Sequence, residues 1–478
     1  MLPHMFLKRT VASVFLHQLE WKILAPVALC LLFGTLPAFP QEDRRDPAEP
    51  AQGRPQPTLL PRPAGAIARQ DIDEKAMAGL IHDLVGCGTR LSISSWTDPK
   101  RGVGCGRDQV LARFQEIAAG SGGKLQVLVD KFETESERTG GKVHMENVYA
   151  ILPGSDPQLA KTLFIVSGHM DSMPSKWTDP VSDAPGADDD ASGTAVSVEC
   201  ARLLSKIAAV GKSPFRSTIL FAVVSGEEQG LLGSQHLLEW TKQQGYTVAG
   251  MLDDDIVGAD LAPGGPHRVR LFSGNGEIDD CDSPSRELAR TIEEINGEAA
   301  IRMIFRVDRY GRGGDHYFFY KAGLPAVRFT EPLENYAHEH QTPRTEDGIE
   351  YGDLERYLSF SFLGNVARDN VESLRQLAMA PAPPHDVTMR GAVTPDAKIS
   401  WSADEDPDRA GFEILWRETT DPRWQVYDFV PASRETVLKG VSTDNHFFAV
   451  RAVGKNGARS IAVPTVTPQR PLPSAPKR

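Results

Sequence analysis

Between residues 147 and 330, short apolar runs rich in β-branched residues alternate with stretches whose apolar positions return every three or four residues. The runs NVYAIL, TLFIVSG, STILFAVVS, GMLDDDIVG, RVRLFSG and PAVRFT predict strands. The helical spacing predicts helices over Ala191 to Ala209, Leu231 to Gln244, Ser283 to Ile295 and Gly314 to Lys321. This alternation predicts an α/β fold with a mixed, mostly parallel central sheet and helices on both faces. A longer helical pattern, Gly352 to Leu377, ends at the proline cluster APAPP, which marks a boundary. Beyond it KISW, FEILWRE, TVLKGV and FFAVRAV read as short alternating strands between polar turns, predicting a C-terminal all-β sandwich.

The remaining segments fix the expected organisation of the 478 residues. Lys8, Arg9 and Lys22 precede an apolar stretch, Ile23 to Phe39, broken by Pro26, Gly34 and Pro37. A spanning helix needs about 20 apolar residues, so this stretch predicts a signal peptide over 1–40, with an uncleaved anchor as the alternative. The expected location is secreted or in the cell envelope. Residues 41–70 are proline-rich and poor in large apolar side chains, which predicts a linker. The α/β domain is expected over 71–379, the β-sandwich over 385–465 and a disordered tail over 466–478. Proline-rich connections generally let the flanking domains fold independently.

Net charge is −12, and no run of Lys or Arg stands out to line a phosphate backbone, which excludes nucleic acid as a partner. Once the signal is removed four cysteines remain. Cys87 and Cys105 lie in matching settings, GCGTR and GCGRD, and in an oxidising compartment a bridge there would close a short loop. Cys200, within SVECARLL, reads as a buried thiol. Without C-x-x-C spacing, a metal must be held by nitrogen and oxygen.

Candidate chemistry sits where the strands end. His169, Asp189, the pair Glu227 and Glu228, Asp255 and His340 each lie at or just past an apolar run. Open α/β sheets bind ligands outside the carboxyl ends of their strands, so the set reads as a site for two metal ions. Imidazoles mixed with carboxylates suit zinc better than magnesium or calcium. Asp188 and Asp190 compete with Asp189, and Asp190 reads as a helix N-cap. Asp253 and Asp254 compete with Asp255, and His338 with His340. Asp315 and His316 read as helix-start and supporting groups.

In their order, HMD, PGADDDASG, EEQGLLGSQ, DIVG and a late histidine closely resemble the co-catalytic di-zinc aminopeptidases of clan MH, over roughly Asp71 to Leu377. The resemblance implies that Asp189 bridges two Zn2+ ions, with His169 and Asp255 on one and Glu228 and His340 on the other. It implies that Glu227 is the general base and that Asp171 orients His169. Two zinc ions carry +4 and the three ligand carboxylates −3, so a shared hydroxide brings the core to neutrality and is stabilised there. The implied activity is exopeptidase cleavage of peptides with a free N-terminus.

A glutaminyl-cyclase-like or carboxypeptidase member of the same fold, or an inactive receptor-like binding protein, is the alternative. Arg302, Arg306, Arg309 and Arg312 leave a carboxylate-binding patch open. Several relatives place an oxyanion-binding tyrosine where this chain has Gly313, leaving Tyr310 or Arg312 as substitutes. The C-terminal module resembles a fibronectin type III domain through Trp401, FEILWR and FAVRAV, with His446 where a tyrosine is usual. It is expected to serve surface or polymer attachment.

Overall fold

The structure is a computed structural model that describes Pro55, residues 60–275 and residues 282–466. The expected signal peptide, most of the expected linker, Cys281 and residues 467–478 lie outside the described residues. The described residues all fall within one compact unit.

Eight strands build the central sheet: β1 (Gln126–Ser136), β2 (Gly141–Leu152), β3 (Thr162–His169), β4 (Thr218–Val224), β5 (Thr247–Asp254), β6 (Val269–Phe272), β7 (Ile301–Ile304) and β8 (Ala326–Thr330). Their spatial order is β1-β2-β4-β3-β5-β8-β6-β7. β4, β3, β5 and β8 are mutually parallel, while β1, β2 and the β6–β8 pairing are antiparallel. The central strands are apolar throughout because both faces are covered, and successive side chains serve opposite faces. In β4, Ile219, Phe221 and Val223 enter one core and Leu220, Ala222 and Val224 the other.

Among the described residues seven α-helices complete this part: α1 (Glu74–Val85), α2 (Val103–Gly120), α3 (Ala191–Ala209), α4 (Leu232–Gln243), α5 (Pro284–Asn296), α6 (His316–Lys321) and α7 (Phe360–Met379). α1, α2, α3, α5 and α7 pack on one face, and α4 and α6 on the other. α3 starts where Asp190 caps the backbone N–H of Gly193 at 2.8 Å. Its glycine lets it approach the sheet closely: a Cβ at Gly193 would lie 1.8 Å from the carbonyl oxygen of Asp254. α5 begins with the N-cap Ser283 followed by proline, the favoured order at a helix start.

Three expectations are corrected. The helix expected from Gly352 starts at Phe360, because Ser359 caps it and the preceding residues turn so that Asp353 can accept the backbone N–H groups of Asp188 and Asp189, each at 2.8 Å. Packing begins before Asp71, inside the expected linker: Ile67 is buried, and the carbonyls of Leu60 and Pro61 accept from Arg459. The third concerns independence of the C-terminal part.

Between β8 and α7, β9 (Arg344–Glu346) and β10 (Ile349–Tyr351) pair as a short antiparallel hairpin. The C-terminal part comprises two antiparallel sheets. One holds β11 (His385–Arg390), β12 (Ala397–Ser402) and β15 (Glu435–Leu438). The other holds β13 (Arg409–Glu418), β14 (Gln425–Val430), β16 (His446–Gly454) and β17 (Val463–Pro464). They share a core around Trp401, Phe412, Ile414 and Phe448. The sheets are docked firmly on α5 rather than tethered to the body by a free linker. Arg417 pairs with Asp282 at 2.6 Å, Arg423 with Glu293 at 2.7 Å and Arg451 with Glu294 at 2.5 Å. The Trp424 indole donates to Glu287 at 2.6 Å, and Arg216 reaches Asp406 at 2.9 Å.

Candidate metal centre

The loops that follow β3, β4, β5 and β8 emerge at one edge because these neighbouring strands run parallel. His169 is the last residue of β3, and Asp189 lies in the connection to α3. Glu227 and Glu228 form the turn after β4, Asp255 directly follows β5, and His340 lies in the loop after β8. The structure therefore brings together residues that span 172 positions of sequence, from His169 to His340 inclusive.

Asp189 sits at the middle of the cluster with one oxygen toward each histidine. Its Oδ1 is 3.2 Å from Nε2 of His169, and its Oδ2 is 2.9 Å from Nε2 of His340. Asp255 Oδ1 lies 3.8 Å from Nε2 of His169, and Glu228 Oε2 lies 3.2 Å from Nε2 of His340. The ligand atoms of His169, Asp189 and Asp255 all fall within 4.8 Å of one another. The same limit groups Asp189 and His340 with Glu339 instead of Glu228. Glu339 Oε1 is ion-paired with Arg312, and Glu228 Oε1 and Glu339 Oε2 are both buried without a hydrogen-bond partner; Glu228 is the better donor because its other oxygen already lies 3.2 Å from Nε2 of His340.

Among the metal ligands expected from sequence, His169 Nε2 and Glu228 Oε1 are buried without a hydrogen-bond partner. Buried polar atoms are normally satisfied, and one orphan on each side of Asp189 fits a cation on each side. The electrostatics agree. Burial opposes ionisation of Asp189, yet His169 and His340 outweigh it and hold its carboxyl well below the usual range. Burial drives Glu227 far upward, and the charges of Asp255 and Glu228 add to it against His169. Both imidazoles are raised well above their ordinary value in spite of burial, through their carboxylate neighbours. Such mutual strain among acids is what a divalent ion relieves.

Supporting contacts hold the cluster in place. His169 Nδ1 faces the Asp171 backbone oxygen at 3.1 Å and its carboxylate at 3.5 Å. The Asp171 carboxylate also accepts the backbone N–H groups of Glu227 and Glu228, at 3.4 and 3.2 Å, and the hydroxyl of Ser92 at 3.0 Å. Asp171 thus links the two loops. Asp190 caps α3 and accepts the N–H of His169 at 2.9 Å. Asp253 turns to His316 at 3.0 Å and Asp254 to Asn370 at 2.8 Å, leaving Asp255 to face the cluster. His338 stacks on Tyr357, with ring centroids 3.6 Å apart, while His340 faces Asp189. Asp315 precedes α6 without capping it; buried among Asp253 and other acids, its carboxyl is pushed up to about 8.

Three supporting residues were not read from sequence. Fully buried Arg328, from β8, places Nη2 2.9 Å from Asp255 Oδ1, engaging one oxygen of that carboxylate. Arg90, also fully buried, donates to the carbonyls of Met170 at 2.7 Å and Gly186 at 2.8 Å, bracing the loops on either side of the cluster. Asp353 holds the backbone at Asp189. Backbone geometry marks the site as well: of five non-glycine residues with positive φ among the described residues, Leu231, Ile256 and His340 adjoin it. Such conformations cost roughly 1–3 kcal/mol each and concentrate at functional sites.

The cluster opens into a cleft of about 440 Å³ bordered by Arg138, Met173, Leu231, Arg309, Arg312 and Gly313. Arg309 and Arg312 are held by Glu334, at 2.9 and 2.7 Å, so these arginines are neutralised. Tyr310 is 86% exposed and lies under the guanidinium of Arg306.

The model of "Peptidase family M28" matches residues 147–360. A "Probable zinc metalloprotease" of Pyrenophora tritici-repentis is 38% identical over 434 residues, covering 85% of this chain and 88% of that protein. One from Leptosphaeria maculans is 36% identical over 417 residues, covering 82% and 95%. Among solved structures, the Legionella pneumophila LapA aminopeptidase has a TM-score of 0.48 at 19% identity, covering 66% of this chain and 74% of that one. A Fimbriiglobus ruber glutaminyl cyclase has a TM-score of 0.47 at 19% identity, covering 67% and 97%. With this identity sustained over most of both chains, the protein belongs to peptidase family M28 and is, as a member, a peptidase.

Proposed function

We propose that the protein is an exported, zinc-dependent aminopeptidase that removes N-terminal residues from peptides. The observation that carries the reading is Asp189, whose two carboxylate oxygens face separate histidines at 3.2 and 2.9 Å. In this reading His169 and Asp255 complete one zinc site, and Glu228 and His340 the other. Two zinc ions would polarise the scissile carbonyl and acidify the attacking water. The name "zinc metalloprotease" carried by the relatives supports the choice of metal.

The chain's own residues supply the rest. Glu227 borders the cleft beside Glu228, and its raised proton affinity suits a group that takes a proton from water and returns it to the leaving amine. Asp171 fixes the imidazole of His169 and the turn that carries Glu227. The acidic wall formed by Glu227, Glu228 and Asp255 favours a free α-ammonium group, which supports exopeptidase action at the N-terminus. A carboxypeptidase reading has little support from Arg309 and Arg312, whose charges are taken up by Glu334 and Glu339. The Cys87–Cys105 bridge supports an oxidising, extracytoplasmic location. A fibronectin-like role in attachment for the C-terminal sheets remains part of the proposal.

Matched peptides with free and acetylated N-termini test this. Hydrolysis of the free form, releasing single residues in order, is expected, with the acetylated form inert. Equal cleavage of both, or internal cleavage, would contradict the aminopeptidase reading.

A further inference from the structure

The cleft holds a cation that its surroundings leave uncompensated. Arg138 sits at the tip of the β1–β2 hairpin and borders the cleft together with Asp189, Glu227, Glu228 and Asp255. Its Nη1 donates to the main-chain oxygen of Glu228 at 2.7 Å, and Ser136 donates to the oxygen of Gln229 at 2.8 Å. These two contacts tie the hairpin to the very turn that carries Glu227. Thr139 closes the tip by accepting from Ser136 N–H at 2.9 Å and donating to Gly141 O at 2.7 Å. The guanidinium is therefore placed, not merely solvated.

The other two cleft arginines, Arg309 and Arg312, each meet a carboxylate. Among the described residues Arg138 has no such ion pair, and its single side-chain hydrogen bond is to a neutral carbonyl. A guanidinium has five N–H donors, so most remain free to face the cleft. An extended peptide advances at most roughly 3.3–3.6 Å per residue. A cation anchored on the backbone of Glu228, one side chain away from the oxygen that faces His340, is thus within reach of the residue following the scissile bond.

We propose that Arg138 is a specificity-determining residue that binds a carboxylate on the substrate residue following the cleaved bond, favouring short or acidic peptides. The carboxylate is either the C-terminus of a dipeptide or an acidic side chain, and both present the planar pair of oxygens that a guanidinium recognises. This rests on the aminopeptidase reading above, since it takes the N-terminal residue as the one released.

Two matched pairs test it on the full chain. One is Leu-Ala with a free C-terminus against Leu-Ala amide, and the other is Leu-Asp amide against Leu-Asn amide. The wild type is expected to prefer the carboxylate member of at least one pair in kcat/KM by roughly tenfold to a hundredfold, the scale of a hydrogen bond to a charged group. Arg138→Met should reduce that preference to near unity, chiefly through KM, and Arg138→Lys should restore part of it. The pair that responds identifies the source of the carboxylate. Calorimetric binding of the same pairs to Glu227→Gln protein, with and without Arg138→Met, reads the preference in the absence of turnover. If the wild type hydrolyses none of the four peptides, the aminopeptidase reading fails, and binding still decides on Arg138. If Arg138→Met keeps the wild-type preference in hydrolysis and binding, or neither pair shows one, the assignment of Arg138 is overturned.

Discussion

The metal-facing cluster and the seam beneath α5 both bury several carboxylates, but they balance them differently. At the seam the partners are guanidinium groups: Glu413, with no exposed side chain, lies 2.7 Å from Arg451 and 2.9 Å from Arg459. Burial raises the Glu413 carboxyl, yet these arginines bring it below its ordinary value. At the cluster the acids meet one another, two imidazoles and, at Asp255, the single guanidinium of Arg328, and Glu227 is driven far upward by burial and by Asp255 and Glu228. The lesson is that a buried acid says little until its counter-charge is found. Where the chain balances the charge, as at Glu413, the acid is structural, and where buried acids outnumber the cations the chain supplies, as at the cluster, they await one from outside.

The sharpest way to separate the two regions is to neutralise one acid in each and ask what is lost. Glu227→Gln should retain metal and fold while turnover falls by roughly 10²–10⁴-fold, the scale of general acid–base catalysis. Metal content and kcat measured on the same sample check this, and near-normal turnover in a metal-replete variant would remove Glu227 from the mechanism. At the seam the loss should be one of stability. Arg451→Met leaves fully buried Glu413 with Arg459 as its one remaining partner and is expected to cost about 3 kcal/mol in denaturant unfolding. Turnover per folded molecule should be unchanged. A variant with normal stability and impaired turnover would show that the seam feeds into the site.

The smallest effect is an acid dependence. Burial works to raise Glu294, but Arg451 and Arg62 dominate and bring its carboxyl from 4.5 to about 2. A carboxyl lowered by folding stabilises the protein fully above its unfolded value, and the contribution is lost as pH falls through the folded one. The melting temperature should therefore decline between pH 4.5 and pH 2, and Glu294→Gln should make that decline shallower. An identical decline in the variant would show that other carboxyls govern it.

What could be read in the sequence follows from the same distinction between local and distant partners. The central strands were legible because strands covered on both faces become continuous apolar runs, as in TILFAVV of β4. β1 was not, since its exposed positions leave only Phe132 fully covered. α1 escaped although Met77, Leu80, Ile81 and Leu84 form a regular buried stripe, and α2 opens with two glycines that mask its start. His169, Glu227, Glu228 and Asp255 were legible because they stand at or just past the ends of strands, whereas Asp189 and His340 lie in longer loops and were legible through the motifs around them. Asp353 was not, because it acts on the backbone of Asp188, 165 positions away, and was absorbed into an expected helix. Arg328 lay unnoticed inside a strand run. The seam joins Arg423 to Glu293 across 130 positions, and no local pattern reveals that pairing.

Metal analysis of the active protein tests the central claim most directly. The account predicts two zinc ions per chain, bound on either side of Asp189, with Asp189→Asn losing both and Glu228→Gln losing chiefly the one beside His340. A fully active wild-type protein containing one zinc ion, or an Asp189→Asn variant that keeps two, would contradict it.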